Sequence, residues 1–196
     1  MLKKIARKKF LQQNPEYPQS NNYKNKDTFP ETYNSYILYI ESNSTVGLCN
    51  NLSMAITNLT CALGYSYLAF LGDASTPWLF RNHDYSPVIR GLNYLAENKI
   101  SKSFNGAIQI SNVDLPVFLK HLFWLVRCNG VLFYPYFSDE GFNIIANICQ
   151  YGNLHLSTLN RETDEMFNKV LVQTSFRILE SSSCGGGIIS GRTVSI

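Results

Sequence analysis

The chain has 196 residues, of which 45% are hydrophobic, 13% aromatic and 16% charged, and its formal net charge is +3. This length suits one domain or two small ones, and a chain of this size buries a core without disulfides or a metal ion. The composition excludes a chain that is disordered throughout, and no run of about 18 apolar residues predicts a membrane-spanning helix.

The N-terminal 34 residues differ in composition from the rest. Residues 1–30 contain seven basic and two acidic side chains, whereas the remaining chain contains ten basic and twelve acidic ones. Residues 12–34 are rich in Asn, Gln and Pro, so they bury too little apolar surface to offset the entropy of ordering. We therefore predict a flexible basic arm over residues 1–34, in which Met1–Leu11 forms only a marginal amphipathic helix.

From residue 36 to residue 111, strand and helix signals alternate. Apolar residues recur at helical spacing from Leu48 to Leu63, and Gly64 lies where a C-cap glycine is expected. Ser86 and Pro87 are typical of an N-cap and a first-turn proline, and predict a second helix. Four segments are rich in β-branched and aromatic residues and are predicted as strands. They are Tyr36–Glu41, Tyr65–Leu71, Trp78–Phe80 and Phe104–Ser111.

A similar alternation follows. Apolar residues at helical spacing predict a helix from Leu115 to Val126, and acidic residues near the start of residues 158–172 favour another helix there. Pro135 suggests that its strand lies at a sheet edge. The predicted strands of this half are Val131–Phe137, Phe142–Cys149 and Ser175–Leu179, with a turn at Ser138–Gly141 between the first two.

The order of these elements predicts the fold class. Residues 104–180 follow the βαββαβ order of ferredoxin-like domains, and residues 36–111 have nearly the same order. We predict an α+β domain over residues 35–180, with helices on one face of an antiparallel or mixed sheet. A Ser/Gly-rich tail follows over residues 181–196. The order alone leaves open whether the two halves share one sheet.

The five cysteines indicate a reduced, cytoplasmic protein without disulfides, because their number is odd and no signal peptide precedes them. No two of them have the close spacing of metal ligands, so no metal or cofactor is predicted. Cys149 and His155 lie across a predicted turn, but Cys149 ends an apolar strand. That position favours a buried thiol over a nucleophile.

Catalytic motifs are lacking in the sequence. Cys184 precedes three glycines, but the Lys-Ser/Thr pair and the helix of a phosphate-binding loop do not follow. The nucleophile-elbow and zinc-protease motifs do not occur either. We therefore expect a protein that is not an enzyme.

Aromatic and charged residues before the helix at Ser86 form the strongest candidate binding cluster. Trp, Tyr and Arg are enriched where binding energy concentrates in protein interfaces, and strand tyrosines add amphipathic surface. The candidate partner-binding residues are Trp78, Arg81, His83, Asp84, Tyr85, Tyr134 and Tyr136.

These observations favour a non-enzymatic protein-binding domain. We expect a bacterial neutraliser, of the immunity-protein or antitoxin kind, that occludes a partner protein. One alternative is an enzyme or ligand-binding domain with its site between the halves, using His83, Asp84, His121 and His155. Another is a nucleic-acid-associated factor that neutralises phosphates with its basic arm. The basic residues of that arm are Lys3, Lys4, Arg7, Lys8 and Lys9.

Overall fold

The computed structural model describes residues 2–18, 29–79, 83–128, 135–180 and residue 184. These ranges contain eight strands and five helices. The strands are β1 (Lys3–Ile5), β2 (Asn34–Tyr39), β3 (Tyr67–Leu71), β4 (Ala107–Ser111), β5 (Tyr136–Asp139), β6 (Ile144–Ile148), β7 (Leu154–Thr158) and β8 (Arg177–Ile178). The helices are α1 (Arg7–Gln13), α2 (Thr45–Ala62), α3 (Ser86–Glu97), α4 (Leu115–Arg127) and α5 (Arg161–Leu171).

All eight strands belong to one antiparallel sheet, in the order β1-β4-β3-β5-β6-β7-β2-β8. The predicted α+β class is therefore confirmed. Strands of the two halves are interleaved, because β3 lies between β4 and β5, and β2 lies between β7 and β8. The chain thus forms two split crossovers, β4–α4–β5 around β3 and β7–α5–β8 around β2. The two halves share a single sheet.

The ferredoxin-like order is not confirmed, because a strand absent from the prediction, β7, follows β6. Leu154, Leu156 and Thr158 are buried and alternate with half-buried His155 and Ser157, the period of two that a strand requires. This short alternation lies directly before α5. The helix begins at Arg161, where the Asn160 side chain accepts a hydrogen bond from the Thr163 N–H.

Two other predicted elements differ from the structure. Trp78 lies in a turn rather than a strand, and Phe80 is outside the described residues. Pro135 does not mark an edge strand, because it precedes β5, which lies between β3 and β6. Most of the predicted strand at 131–137 also falls outside the described residues. The C-cap prediction is confirmed, since Gly64 has a φ of +77° at the end of α2.

Helices α2, α3, α4 and α5 cover one face of the sheet and form the main hydrophobic core with it. Alternate residues of each strand point into this core. Phe70 of β3 is fully buried at its centre, with ring centroids 4.8 Å from Phe118 of α4 and 4.8 Å from Phe137 of β5. Strands β3 and β5 and helix α4 are thus joined by contacts between large aromatic side chains.

The N-terminal segment covers part of the opposite face, so the prediction of a flexible arm is wrong for residues 2–18. Strand β1 pairs with β4 at the sheet edge, and α1 buries Phe10 against the second face. The prediction fails because composition averages over the segment, whereas a few well-placed side chains, among them the buried rings of Phe10 and Tyr17, hold it on the sheet. The part of the predicted arm at 19–28 lies outside the described residues.

Tyr17 fixes this segment to the sheet. Its side chain is fully buried, and its hydroxyl lies 2.8 Å from the Tyr136 carbonyl oxygen and 3.1 Å from that of Ala69. Phe10 contacts the ring edge-on with centroids 4.9 Å apart. Arg7 adds hydrogen bonds from Nη1 to the carbonyl oxygens of Gly72 and Asn105. The segment is therefore an integral part of the domain.

We expect Tyr17→Phe to lower the free energy of unfolding by about 1–2 kcal/mol, because it removes a buried hydroxyl that hydrogen-bonds to backbone carbonyl oxygen. Urea denaturation followed by circular dichroism measures this loss. Tyr33→Phe is the matched control, since Tyr33 is 56% exposed and should be nearly neutral. Equal stability of the two variants would contradict the role assigned to Tyr17.

Candidate functional site

Trp78 belongs to the core and not to a binding surface. Its side chain is 4% exposed, and its indole Nε1–H donates to the Gly106 carbonyl oxygen at 2.9 Å. Its ring lies 6.4 Å from that of Phe118 in α4. Burial with a satisfied donor leaves Trp78 no surface for a partner, which corrects the sequence-based assignment. Arg81 is outside the described residues.

Tyr136, the second strand residue predicted to bind a partner, does not lie on an open face of the sheet. It is half-buried on the sheet face that the N-terminal segment covers, and its ring contacts Phe29 edge-on with centroids 5.7 Å apart. Its backbone carbonyl accepts a hydrogen bond from Tyr17. The uncovered tyrosine surface expected from the sequence is therefore absent at this residue, and Tyr134 lies outside the described residues.

The three remaining candidates stand together at the start of α3. The Tyr85 N–H donates to Nδ1 of half-buried His83 at 2.9 Å, which fixes the turn into the helix. The Asp84 side chain is fully exposed, and Tyr85 is 42% exposed. The Tyr85 ring lies 6.0 Å from that of Trp124 in α4, at an interplanar angle of 67°. The sequence did not predict this contact with α4.

Four aromatic side chains lie along the junction of α3 and α4, and we call this surface the α3–α4 aromatic face. It consists of Tyr85, the N-cap residue of α3, and Tyr94 of α3, together with His121 and Trp124 of α4. Tyr94 and His121 stack with ring centroids 4.3 Å apart and 20° between planes. All but exposed Tyr85 are half-buried.

Gly91 explains how the two helices come close enough for these contacts. A Cβ atom there would lie 3.2 Å from Leu125 Cγ and 3.3 Å from the His121 carbonyl oxygen. These separations are tighter than an ordinary side-chain contact, so glycine permits the approach of α4. The sequence signal for the face was weak, because the two helices are distant in the chain and only packing pairs their residues.

The surroundings of Tyr94 and His121 shift the pKa of each side chain in the direction that favours its uncharged form. Burial lowers the pKa of His121, Arg90 lowers it further, and Glu97 acts in the opposite direction. Burial also raises the pKa of Tyr94 to about 12. Both rings of this stack are therefore neutral near pH 7.

The polar groups of the enzyme alternative are divided between the two faces of the sheet. His83 and Asp84 precede α3, and His121 lies on α4, on the helix-covered side. His155 lies on β7 between Leu154 and Leu156, which point into the helix-covered core. Strand alternation therefore places His155 on the opposite face. The structure does not bring the four groups into one site.

The structure instead brings His155 together with two cysteines. The Sγ atoms of Cys149 and Cys184 and one ring nitrogen of His155 lie within 4.8 Å of one another. Cys184 Sγ is 2.9 Å from His155 Nε2. Burial raises the pKa of Cys149 to about 11, with Cys184 acting in the same direction, and burial lowers the pKa of His155. Sequence spacing did not reveal this cluster, because Cys184 is distant from both partners in the chain.

The basic residues of the N-terminal segment have separate surroundings. Lys4 Nζ donates to the Lys99 carbonyl oxygen at 2.7 Å, and Arg7 is half-buried in its hydrogen bonds to loop carbonyls. Burial lowers the pKa of Arg7. Lys3, Lys8 and Lys9 are exposed. Arg7 is thus structural, whereas all four lysines are exposed, and Lys4 among them is held by its hydrogen bond.

A shallow groove of about 340 Å³ lies where α2 meets the β2–β8 edge of the sheet. Its rim carries the Glu41–Arg177 ion pair, with Oε1 and Nη1 2.7 Å apart. Asn51, Met54 and Asn58 of α2 form the opposite wall. This lining combines three apolar side chains with five polar or charged ones, and its carboxylate and guanidinium are paired with each other.

We expect Trp78→Ala to lower the free energy of unfolding by about 3–5 kcal/mol, because it opens a cavity in the core and leaves Gly106 without its donor. Tyr85→Ala removes an exposed ring and should cost less than about 1.5 kcal/mol. Chemical denaturation of both variants distinguishes the core residue from the surface residue. Comparable losses would contradict this assignment.

We expect the stability of the protein to fall as the pH drops below about 6.5. Burial lowers the pKa of His121 in the folded protein, so His121 is protonated in the unfolded chain at a higher pH than in the folded one. As the pH falls, protonation therefore favours the unfolded chain. The stabilisation is present above the unfolded pKa and is lost as pH falls through the folded one. Free energies of unfolding measured between pH 7.5 and 5.5 give the slope of stability against pH. We expect this slope to be shallower in His121→Gln. An unchanged slope in this variant would exclude His121 as its source.

Comparison with family models, with curated proteins and with solved structures provides no further guide to the function. No family model, curated protein or solved structure matches the chain. Within the described residues, no helix combines the length and apolar character needed to cross a membrane.

Proposed function

We propose that this chain is a protein-binding domain and that the α3–α4 aromatic face is its contact surface. The observation that carries the proposal is the Tyr85–Trp124 pair, which holds two large rings at the surface where two helices meet. Tyr and Trp supply much apolar contact area at a small entropic cost, and their polar tips find partners across an interface. His83 and Asp84 border the pair at the start of α3.

The charges around the face favour a protein partner over nucleic acid. Arg90 supplies positive charge beside His121, but Glu97 supplies negative charge there and Asp84 supplies it in the loop that enters α3. A nucleic-acid site needs an excess of Lys and Arg to neutralise phosphates. A nearly balanced rim around aromatic residues is instead typical of protein interfaces.

The state of His121 favours binding over catalysis at this face. Its ring is stacked on Tyr94, and the Coulomb effects on its pKa come from Arg90 and Glu97 on α3. A general base needs a reacting group within hydrogen-bond reach and a third group that orients it. The stacking contact accounts for His121 without such a role.

The specific form of the proposal is a neutraliser of the immunity-protein or antitoxin kind. Such a protein covers a partner's active site and needs rigid contact residues, because ordering flexible side chains weakens binding. Tyr85 and Trp124 meet this need, since each ring is fixed by its neighbour and by helix packing. Occlusion would be steric and would require no catalytic group.

We expect the double substitution Tyr85→Ala and Trp124→Ala to weaken partner binding at least about 30-fold, because each hot-spot residue typically contributes 1 kcal/mol or more. The partner is first recovered from a lysate of the source organism, then purified, and its dissociation constant is measured by calorimetry. A Val113→Ala, Val172→Ala double variant is the control, since these side chains are 88% and 83% exposed elsewhere. The neutraliser form also predicts that the complex inhibits the partner's activity.

Ile89→Glu provides a second variant that leaves the core intact. Ile89 is 38% exposed and lies one helical turn after Tyr85, so its replacement places a charge beside the contact residues. We expect it to weaken the same complex while thermal unfolding stays unchanged. Full affinity in both the double variant and Ile89→Glu would exclude this face as the binding surface.

A further inference from the structure

Cys149 and His155 are held on one sheet face by the hairpin between β6 and β7. Ile148 pairs with Leu154 and Asn147 with His155 in the antiparallel register. The next residue of the first strand, Cys149, is therefore a diagonal neighbour of His155 on the same face. Diagonal neighbours lie about 7–8 Å apart at their Cα atoms, so their side chains can meet.

The turn of this hairpin is fixed by backbone bonds and by packing. The Cys149 N–H donates to the Asn153 carbonyl oxygen, and the Gly152 N–H donates to that of Cys149, both at 2.9 Å. Gly152 has a φ of +83°, and a Cβ atom there would lie 2.7 Å from Leu48 Cδ2 of α2. Only glycine fits this position. The turn thus holds two potential ligands in place before any ion arrives.

Cys184 completes the group from beyond the last strand. Its Sγ lies 2.9 Å from His155 Nε2 and within 4.8 Å of Cys149 Sγ. In a tetrahedral zinc site, ligand atoms are about 3.6–3.8 Å apart, a spacing set by Zn–S and Zn–N bonds of about 2.3 and 2.0–2.1 Å. Shifts of about 1 Å would bring the three atoms to these separations.

We propose that Cys149, His155 and Cys184 bind one Zn²⁺ ion. Two sulfur atoms and one imidazole nitrogen form a soft ligand set, which suits zinc and disfavours Mg²⁺ or Ca²⁺, since those ions prefer oxygen. Among the residues that the structure describes, the group has three members, so a fourth tetrahedral position is left for water or another ligand. Binding releases the thiol protons of both cysteines to solvent and uses the neutral form of His155.

The site is separate from the proposed binding surface. It lies on the sheet face opposite α3 and α4, and it shares no residue with the α3–α4 aromatic face. Zinc would join residue 184 to the β6–β7 hairpin. Loss of the zinc site and loss of partner binding are therefore distinguishable in experiments on the same protein.

The test uses the full chain, purified with a phosphine reductant and stripped of metal by a chelator. We expect the protein to bind one Zn²⁺ per chain in competition with a chromogenic chelator, and to bind Co²⁺ with a thiolate charge-transfer absorption. Loss of a residue that only orients a metal ligand lowers metal affinity about 10–100-fold. Cys184→Ser and His155→Gln remove ligands themselves, so each should weaken Zn²⁺ binding by more than this. The matched controls are Cys61→Ser, Cys128→Ser and His83→Gln, which change the same residue types elsewhere.

Cys184→Ser is the decisive variant, because residue 184 follows the last strand and its replacement leaves the described core intact. Unchanged circular dichroism and thermal unfolding of the metal-free variant verify this. Failure of the reduced wild-type protein to bind stoichiometric Zn²⁺ overturns the proposal, and so does equal affinity in Cys184→Ser and the control variants. A Cys149–Cys184 disulfide in the isolated protein, with no zinc bound after reduction, would assign the cluster to a redox crosslink instead.

Discussion

The pairing of β3 with both β4 and β5 is the constraint on which the rest of the fold depends. β4 and β5 are consecutive strands joined through α4, yet β3 lies between them. The chain must therefore cross over β3, which holds α4 against Phe70 on one sheet face. The same arrangement recurs around β2 with β7, α5 and β8. Interleaving of this kind makes each half dependent on the other for its strand neighbours.

The alternation of side chains along each strand determines which functional groups share a face of the sheet. Residues that share the helix-covered face contribute to the main core, and the helices above them present the α3–α4 aromatic face to solvent. Residues of opposite parity, including Cys149 and His155, point away from the helices. The two candidate sites are consequently separated by the sheet itself. Contacts with a partner and binding of an ion can then occur without mutual exclusion.

The N-terminal segment completes the part of the second face that contains Ala69, Leu71 and Ile145. Four helices leave these side chains uncovered, and an exposed apolar patch on a sheet favours association. Phe10 and Tyr17 cover it, and the Tyr17 hydroxyl forms hydrogen bonds with backbone carbonyl oxygens of β3 and β5. A segment that composition marks as disordered therefore protects the sheet, because burial depends on a few well-placed side chains and not on average hydropathy.

The sequence by itself determined the α+β class, the four helices after residue 44, the Gly64 cap and the absence of standard catalytic motifs. These follow from local signals, namely periodicity, capping residues and turn residues. Only the tertiary structure decided the interleaved strand order, the burial of Trp78 and Tyr17, and the groups formed by Tyr85 with Trp124 and by Cys149 with His155 and Cys184. Each of these depends on residues that are distant in the chain and adjacent only after the sheet has formed. Local periodicity carries no information about such pairings, whereas packing and antiparallel register fix them.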